Sequence, residues 1–378
     1  MKLLFASDSF KGSLTSEQTI RLLTRAAQEV FPGCETAGVP VADGGEGTVE
    51  AIVAAEGGQM ISCSVHGPLM EEHTAKYGVF DKDHAVIEMS AASGLPLVPE
   101  DKRNPMNTTT YGTGELILDA LERGYRNLSI AIGGSATNDG GMGCARALGV
   151  RFLNDKGEEL KGFGRDLINV RSIDASGLDA RLSDCTITVM CDVTNPLCGP
   201  DGATWTFGAQ KGASKEIQEQ LEEGMCNYRD VIKDRFGIDC DSLSGAGAAG
   251  GLGASLFVFL KGTMKSGIEE VLDLIRFDER LEGVDIVVTG EGRTDWQSCF
   301  GKVMQGIGQR SAAKNIPVLG LSGSLGKNAM DICNYGISSL MTTVNSPMTL
   351  DEAIKDAETL YYEAAVRMLL FVKTGMNL

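Results

Sequence analysis

Short apolar runs that stop at a carboxylate or a glycine recur along this chain, and several are followed by a segment with helical spacing. Leu3, Leu4, Phe5 and Ala6 form one such run, ending at Asp8, as a buried parallel strand does where it feeds a loop. The loop reads Asp8-Ser9-Phe10-Lys11-Gly12-Ser13. Thr15 with Gln18 has the capping-box spacing, and Ile20, Leu23, Ala27 and Val30 recur with a helical period up to Phe31-Pro32-Gly33. Val39-Pro40-Val41 then reads as a second strand, residues 42 to 47 as its loop, and Thr48 to Glu56 as a helix. Two strand-loop-helix units in succession predict a doubly wound parallel sheet of Rossmann or flavodoxin type.

After Gly58 the rhythm changes. Met60 to His66, His73 to Phe80 and Ala85 to Met89 look like adjacent strands with no helix between them, which predicts an antiparallel region and a boundary near residue 65. A helix from about Thr113 to Arg123 leads to an apolar run (Leu128, Ile130, Ile132) and a loop of small residues, Gly133 to Gly143. Ile187, Val189 and Met190 form another buried strand, ending at Cys191-Asp192, and helical patterns cover roughly Ser214 to Lys233 and Gly250 to Leu260. From Val284 the first rhythm returns. Val284 to Thr289 ends at Gly290-Glu291-Gly292-Arg293-Thr294-Asp295, Val318 to Leu321 ends at Ser322-Gly323-Ser324, and Ile337 to Val344 precedes a helix from Asp351 to about Val372. The expected α/β organisation has two domains: residues 1–64 plus 284–378 as a discontinuous doubly wound domain, and 65–283 as a mixed α/β domain inserted in it. Ligands of open α/β sheets bind beyond the carboxyl ends of the strands, so the loops named above share one rim.

Composition narrows the function. The chain is 43% hydrophobic and 22% charged, a globular balance, and its 48 glycines in 378 residues follow no collagen period. A net charge of −17 argues against nucleic acid as partner, and it requires any anion site to concentrate basic groups, N–H donors or a divalent cation locally. Ten cysteines without a C-x-x-C pair, and three histidines mostly apart from them, give no zinc framework and read as reduced thiols of a cytoplasmic protein. No run reaches the ~18 apolar residues that span a bilayer, and MKLLFASDSF is too short a stretch for a secretory leader.

The glycine-rich loops carry the candidate chemistry. Gly133, Gly134, Ser135, Ala136, Thr137 and Asn138 offer N–H groups and hydroxyls to a phosphate beside a helix start, with Asp139 placed to cap that helix or to help hold a cation. D-G-G-x-G occurs twice, at Asp43–Gly47 and Asp139–Gly143, either as a pair of ligand loops or as two tight turns. No Walker A motif is present. Gly245 to Gly250 spells G-x-G-x-x-G after a poor strand, so it reads as close helix packing rather than a dinucleotide site. Asp8, Asp43, Asp192, Glu291 and Asp295 all stand at predicted strand ends, as a kinase requires for Mg²⁺ and for the hydroxyl proton. Lys11, Lys211 and Arg293 are the basic candidates, Arg for a carboxylate and Lys for phosphate. His66, His73 and His84 read as structural. A non-catalytic sensor of small carboxylic acids and an NAD-dependent dehydrogenase are the competing classes; the first leaves the acids without a use, the second lacks the strand before its glycine string.

The segments DSFKGS (8 to 13), VADGGEGT (41 to 48), GGSATNDGG (133 to 141), CDVTNPLCGPDGAT (191 to 204), FGAQKGA (207 to 213), AGGLG (249 to 253) and VVTGEGRTDWQS (287 to 298) together resemble the bacterial type I glycerate kinase family. The departures are Ala209, where proline is usual, and Cys299 and Phe300 at variable positions. The resemblance implies ATP-dependent phosphorylation of D-glycerate at its 2-hydroxyl, with Mg²⁺, at a site between two α/β domains, and leaves the oligomeric state open. The resemblance supplies the reaction; from their positions at strand ends and loops, Asp192, Asp295 and Lys11 are expected to be catalytic, and Arg293, Asp8 and Ser9 to bind substrate. Gly133 to Asn138 and Lys211 are expected to bind the nucleotide, and Asp43, Asp192 and Glu291 to hold the metal.

Overall fold

Leu3 to Phe5 and Val287 to Val288 are buried, and their strands pair in parallel, with Leu3 opposite Ile286 and Phe5 opposite Val288. In the computed structural model, which describes residues 1–376, these strands belong to a five-stranded parallel sheet in the order Ile337–Thr342, Val318–Ser322, Ile286–Thr289, Lys2–Phe5, Glu35–Gly38. Counted along the chain that order is 2-1-3-4-5, the flavodoxin-like arrangement. Helix Ser16–Val30 starts with the expected capping box between Thr15 and Gln18 and buries Leu22, Leu23, Ala26, Ala27 and Val30. Tyr361, Ala364, Ala365 and Met368 of helix Ala357–Met376 join the same apolar cluster. Asn377 and Leu378, at the end of the expected carboxyl-terminal segment, lie outside the described residues.

Among the described residues the contacts divide the chain into two compact units, the first comprising Met1–Asp43, Ala54–Glu56 and residues 267–376, the second Gly44–Val53 and Gly57–Ser266. The first unit resumes ahead of residue 284 because helix Gly267–Leu274 packs on helix Val303–Ala313, where a Cβ at Gly306 would come within 2.5 Å of Ile268. Most of helix Thr48–Glu56 goes with the second unit because Val49 and Val53 close over Gly78. The second unit's sheet runs Thr263–Lys265, Thr186–Met190, Asn127–Ala131, His84–Glu88, Glu72–Phe80, Gln59–His66. Its first four strands are parallel and the last two antiparallel.

Three sequence expectations change. The second strand is Glu35–Gly38, not Val39 to Val41: its register ends with Gly38 opposite Phe5, the last residue of the partner strand, and Val39 N–H donates to Phe5 O at 2.9 Å just beyond it. The segment expected to be helical from Gly250 begins with Ala249, Gly250 and Gly251 at φ 53, 67 and 92°, so regular helix starts at Leu252. The long helix expected from Asp351 is two, Leu350–Lys355 and Ala357–Met376, separated at Asp356.

Candidate active site

In a flavodoxin-like sheet the strand order reverses at one point, here between Lys2–Phe5 and Ile286–Thr289. Beyond the carboxyl ends of these two strands the loops remain tied together: Asp8 N–H donates to Gly290 O at 2.9 Å, and the buried Ser7 hydroxyl donates to the same oxygen at 3.0 Å. A Cβ on Gly290 would lie 1.9 Å from Leu321 O, so glycine is what lets the chain turn here and present Glu291. Asp8 is half-buried, and its pKa is raised to about 7, first by burial, then by the charge of Asp43, with Glu291 adding to it. Ser9 N–H, 2.6 Å from Asp8 Oδ1, and the charge of Lys302 act the other way. Lys302 Nζ lies 3.6 Å from Asp43 Oδ2. Glu291 accepts hydrogen bonds from Thr294 Oγ1 (2.9 Å) and Ser298 Oγ (2.6 Å), which oppose the rise that burial imposes on its pKa. Three predicted acids and one unpredicted lysine are thus brought together. Lys302 had no visible signal because its partner Asp43 is remote in sequence.

Arg293 and Asp295 stand at the edge of this group. The exposed guanidinium lies 3.4 Å from Asp295 Oδ2, and Asp295 caps the short turn Trp296–Cys299 by accepting Gln297 N–H at 3.0 Å. The cap uses Oδ1 of Asp295 and leaves Oδ2 toward Arg293. Lys11 is exposed beside Gly12, whose φ of 80° turns the loop.

In the second unit the loop after Asn127–Ala131 is mostly turned inward. Only Gly133 and Gly134 are exposed; Ser135 to Asp139 are buried. Ala136 N–H donates to Ser93 O (2.9 Å), Thr137 N–H to Ser135 Oγ (3.1 Å), and Asn138 Nδ2 to Thr204 Oγ1 (3.0 Å). Lys211 is buried beneath, its ammonium donating to Thr137 O (2.6 Å) and Ser135 Oγ (3.2 Å), and burial lowers its pKa to about 7. The expected phosphate cradle is therefore reduced to Gly133 and Gly134, and Lys211 braces the loop rather than projecting from it. The helix start is also occupied. Helix Met142–Ala147 has six residues, and Asp139 accepts Gly141 N–H (3.1 Å), Gly143 N–H (3.2 Å) and both the N–H and hydroxyl of Thr110 (2.7 and 2.8 Å). Burial raises the Asp139 pKa while these four donors, all arranged for a carboxylate, pull it back. Asp139 is a cap, and a phosphate would find those N–H groups already used.

Three neighbouring parallel strands, His84–Glu88, Asn127–Ala131 and Thr186–Met190, end on one rim at Glu88, Gly133 and Asp192. Asp192 is exposed and accepts from Ser266 Oγ at 2.9 Å. Glu88, which the sequence pattern did not single out, accepts Val49 N–H at 3.0 Å; its pKa is raised to about 7, mainly by burial. A Cβ on Gly133 would sit 3.8 Å from Gly44 O, so part of the first D-G-G-x-G loop lies beside Gly133. The Gly245 to Gly250 string is packing, as expected: Cβ atoms at Gly247 and Gly250 would fall 2.1 Å from Pro196 O and Thr137 O, and the turn Cys240–Ser242, not a strand, precedes it.

A flavodoxin-like parallel sheet with clustered acids and a lysine at its switch point gives the chain the layout of an α/β enzyme. Comparison with known proteins makes that class particular. The sequence profile of the glycerate kinase family matches residues 3–373, and the chain belongs to that family. It is 46% identical over 379 residues to the glycerate 2-kinase of Escherichia coli K12, covering 100% of this chain and 99% of the relative. It is also 46% identical over 359 residues to a glycerate kinase of Bacillus cereus, covering 95% and 94%. A crystal structure of a candidate glycerate kinase 2 from Salmonella typhimurium LT2 superposes with a TM-score of 0.91 at 41% identity, covering 100% of both chains. Among the described residues no helix is long and apolar enough to cross a membrane.

Proposed function

We propose that the chain transfers the γ-phosphoryl group of ATP to the 2-hydroxyl of D-glycerate, releasing ADP and 2-phosphoglycerate. The carrying observation is the group Asp8, Asp43, Glu291 and Lys302 at the switch point of a parallel sheet, in a family whose members include a glycerate 2-kinase of matching length. The hydroxyl oxygen attacks the γ-phosphorus, the bond to the β,γ-bridging oxygen breaks, and the hydroxyl proton passes to a carboxylate. Asp8 suits that acceptor, since a carboxyl whose pKa stands at about 7 both holds and yields a proton near neutrality. Ser9 and Arg293 bind the substrate, Arg293 through its carboxylate, and Lys11 and Lys302 offset the charge of the transferring group. Gly133 and Gly134 contact the nucleotide phosphates with Lys211 bracing the loop, and Asp192 is the carboxylate that the same rim of strand ends offers.

Asp43 and Glu291 would hold Mg²⁺. Their hard oxygen donors, and the crowding of negative charge that lifts Asp8, fit a divalent cation. Bound there, the ion would neutralise charge on the phosphoryl oxygens. Treating the two compact units as two domains, one inserted in the other, and placing the protein in the cytoplasm belong to the same reading. Phosphorus NMR of the product formed from ATP and D-glycerate tests it. The expected signal is 2-phosphoglycerate with ADP; 3-phosphoglycerate alone would overturn the regiochemistry, and no glycerate-dependent ADP would overturn the activity.

A further inference from the structure

Away from the loops just described, three side chains of the second unit with metal-ligating chemistry converge. Glu222 and Cys226 stand one turn apart on helix Lys215–Phe236, a spacing that puts them on one face. Cys198, buried in the loop between strand Thr186–Met190 and helix Ala203–Phe207, faces them, and a ligand atom from each of the three lies within 4.8 Å of the others. Cys198 is also held from its own backbone: its N–H donates to Asp241 Oδ1 at 3.0 Å, and Asp241 Oδ2 accepts from Arg229 at 2.9 Å. Glu222 Oε1 accepts Gly199 N–H at 2.6 Å and lies 3.8 Å from Cys226 Sγ, whereas Oε2 is buried without a hydrogen-bond partner. An orphaned buried carboxylate oxygen is unfavourable and uncommon, and it is the feature a cation would satisfy.

We propose that Cys198, Glu222 and Cys226 bind a thiophilic divalent cation, Zn²⁺ or its chemical equivalent, at a site distinct from that of the Mg²⁺ used in phosphoryl transfer. Two thiolates and a carboxylate are the donors Zn²⁺ takes, and they are poor ligands for Mg²⁺, which takes oxygen. With Zn–S near ~2.3 Å and Zn–O near ~2.0 Å, donors this close need only small rotamer shifts to meet on one ion. Binding releases one proton from each thiol, and the two thiolates balance the charge of the ion. Burial raises the pKa of both thiols, so affinity increases with pH. Cys226 and Glu222 are only half-buried, which provides entry and leaves the fourth position to water. The ion would tie the loop that carries Asp192 to helix Lys215–Phe236.

Cadmium titration of the reduced full-length protein, followed by the ultraviolet thiolate-to-cadmium charge-transfer band, tests the site. The band is expected to saturate at one equivalent and to be displaced by Zn²⁺. Cys198→Ser and Cys226→Ser should each lose half of it or more, Glu222→Gln should keep the band but weaken binding about tenfold or more, and Cys34→Ser should behave as wild type. Where a variant fails to fold, alkylation of the unmutated protein gives the same answer: Zn²⁺ should protect Cys198 and Cys226 but not Cys34 or Cys333. The proposal is overturned if no band forms, if the band survives loss of both Cys198 and Cys226, if Zn²⁺ protects neither thiol, or if the pair only closes to a disulfide and the reduced protein takes no metal.

Discussion

Asp8 and Glu291 were visible as acids at strand ends, because a buried apolar run announces where a strand stops; Asp43 was reached through Val39 and Val41, which are buried beyond the strand's end at Gly38. Their mutual effect was not visible, because it comes from charges that meet only across the sheet. If Asp8 accepts the hydroxyl proton, Asp8→Asn should lower kcat by about 10² or more while leaving the circular dichroism spectrum intact; a kcat within threefold of wild type would remove it from the chemistry. Glu88 supports a prediction of a different kind. Its pKa rises from 4.5 unfolded to about 7 folded, so the native state favours the protonated carboxyl. The associated stability is complete below about pH 4.5 and is lost as pH rises through about 7. Glu88→Gln keeps an oxygen for Val49 N–H and removes the titration. Relative to wild type it should gain at most about 3 kcal/mol between pH 4.5 and about pH 8 in denaturant unfolding. Equal differences at the two pH values would show that the carboxyl is not perturbed.

Between residue and molecule, the loop Gly133 to Gly143 shows how an element's surroundings override its composition. Read alone, it has the small residues and the following helix of a phosphate site. Packed, its hydroxyls and N–H groups are spent on Ser93, Thr204, Lys211 and Asp139, and only two glycines face outward. The segment 249 to 251 supports it from below, with Gly140 N–H donating to Gly250 O at 3.0 Å. Gly250→Ala places a methyl 2.1 Å from Thr137 O on a residue at φ 67°, and should cost roughly 2 kcal/mol or more. Urea unfolding would measure it, and a loss below half that size would mean that the loop yields. The strand at Glu35–Gly38 teaches the same lesson. Apolar Val39 and Val41 are buried as a strand would bury them, but the strand they would pair with has already ended at Phe5.

At the scale of the whole molecule, the net charge of −17 would face two anionic ligands under the proposed function, ATP and glycerate. Long-range repulsion lowers their encounter rate, and salt screens it over about 10 Å at ~0.1 M. kcat/KM should therefore rise as monovalent salt is raised from low to physiological strength, in steady-state assays at fixed free Mg²⁺; a steep fall would mean that local basic groups dominate the field. Alternating apolar runs and glycine loops were sufficient to determine an α/β fold with a parallel sheet, an antiparallel edge and acids at strand ends, since burial and backbone freedom are local in sequence. The motif set was sufficient to identify the family. Tertiary structure alone decided the flavodoxin-like strand order and the placement of Lys302 against Asp43. It also decided the inward face of the Gly133 loop, and it brought Cys198 to Glu222 and Cys226. Each of these depends on groups far apart in the chain, whose energies of burial, charge and hydrogen bonding exist only once the segments meet.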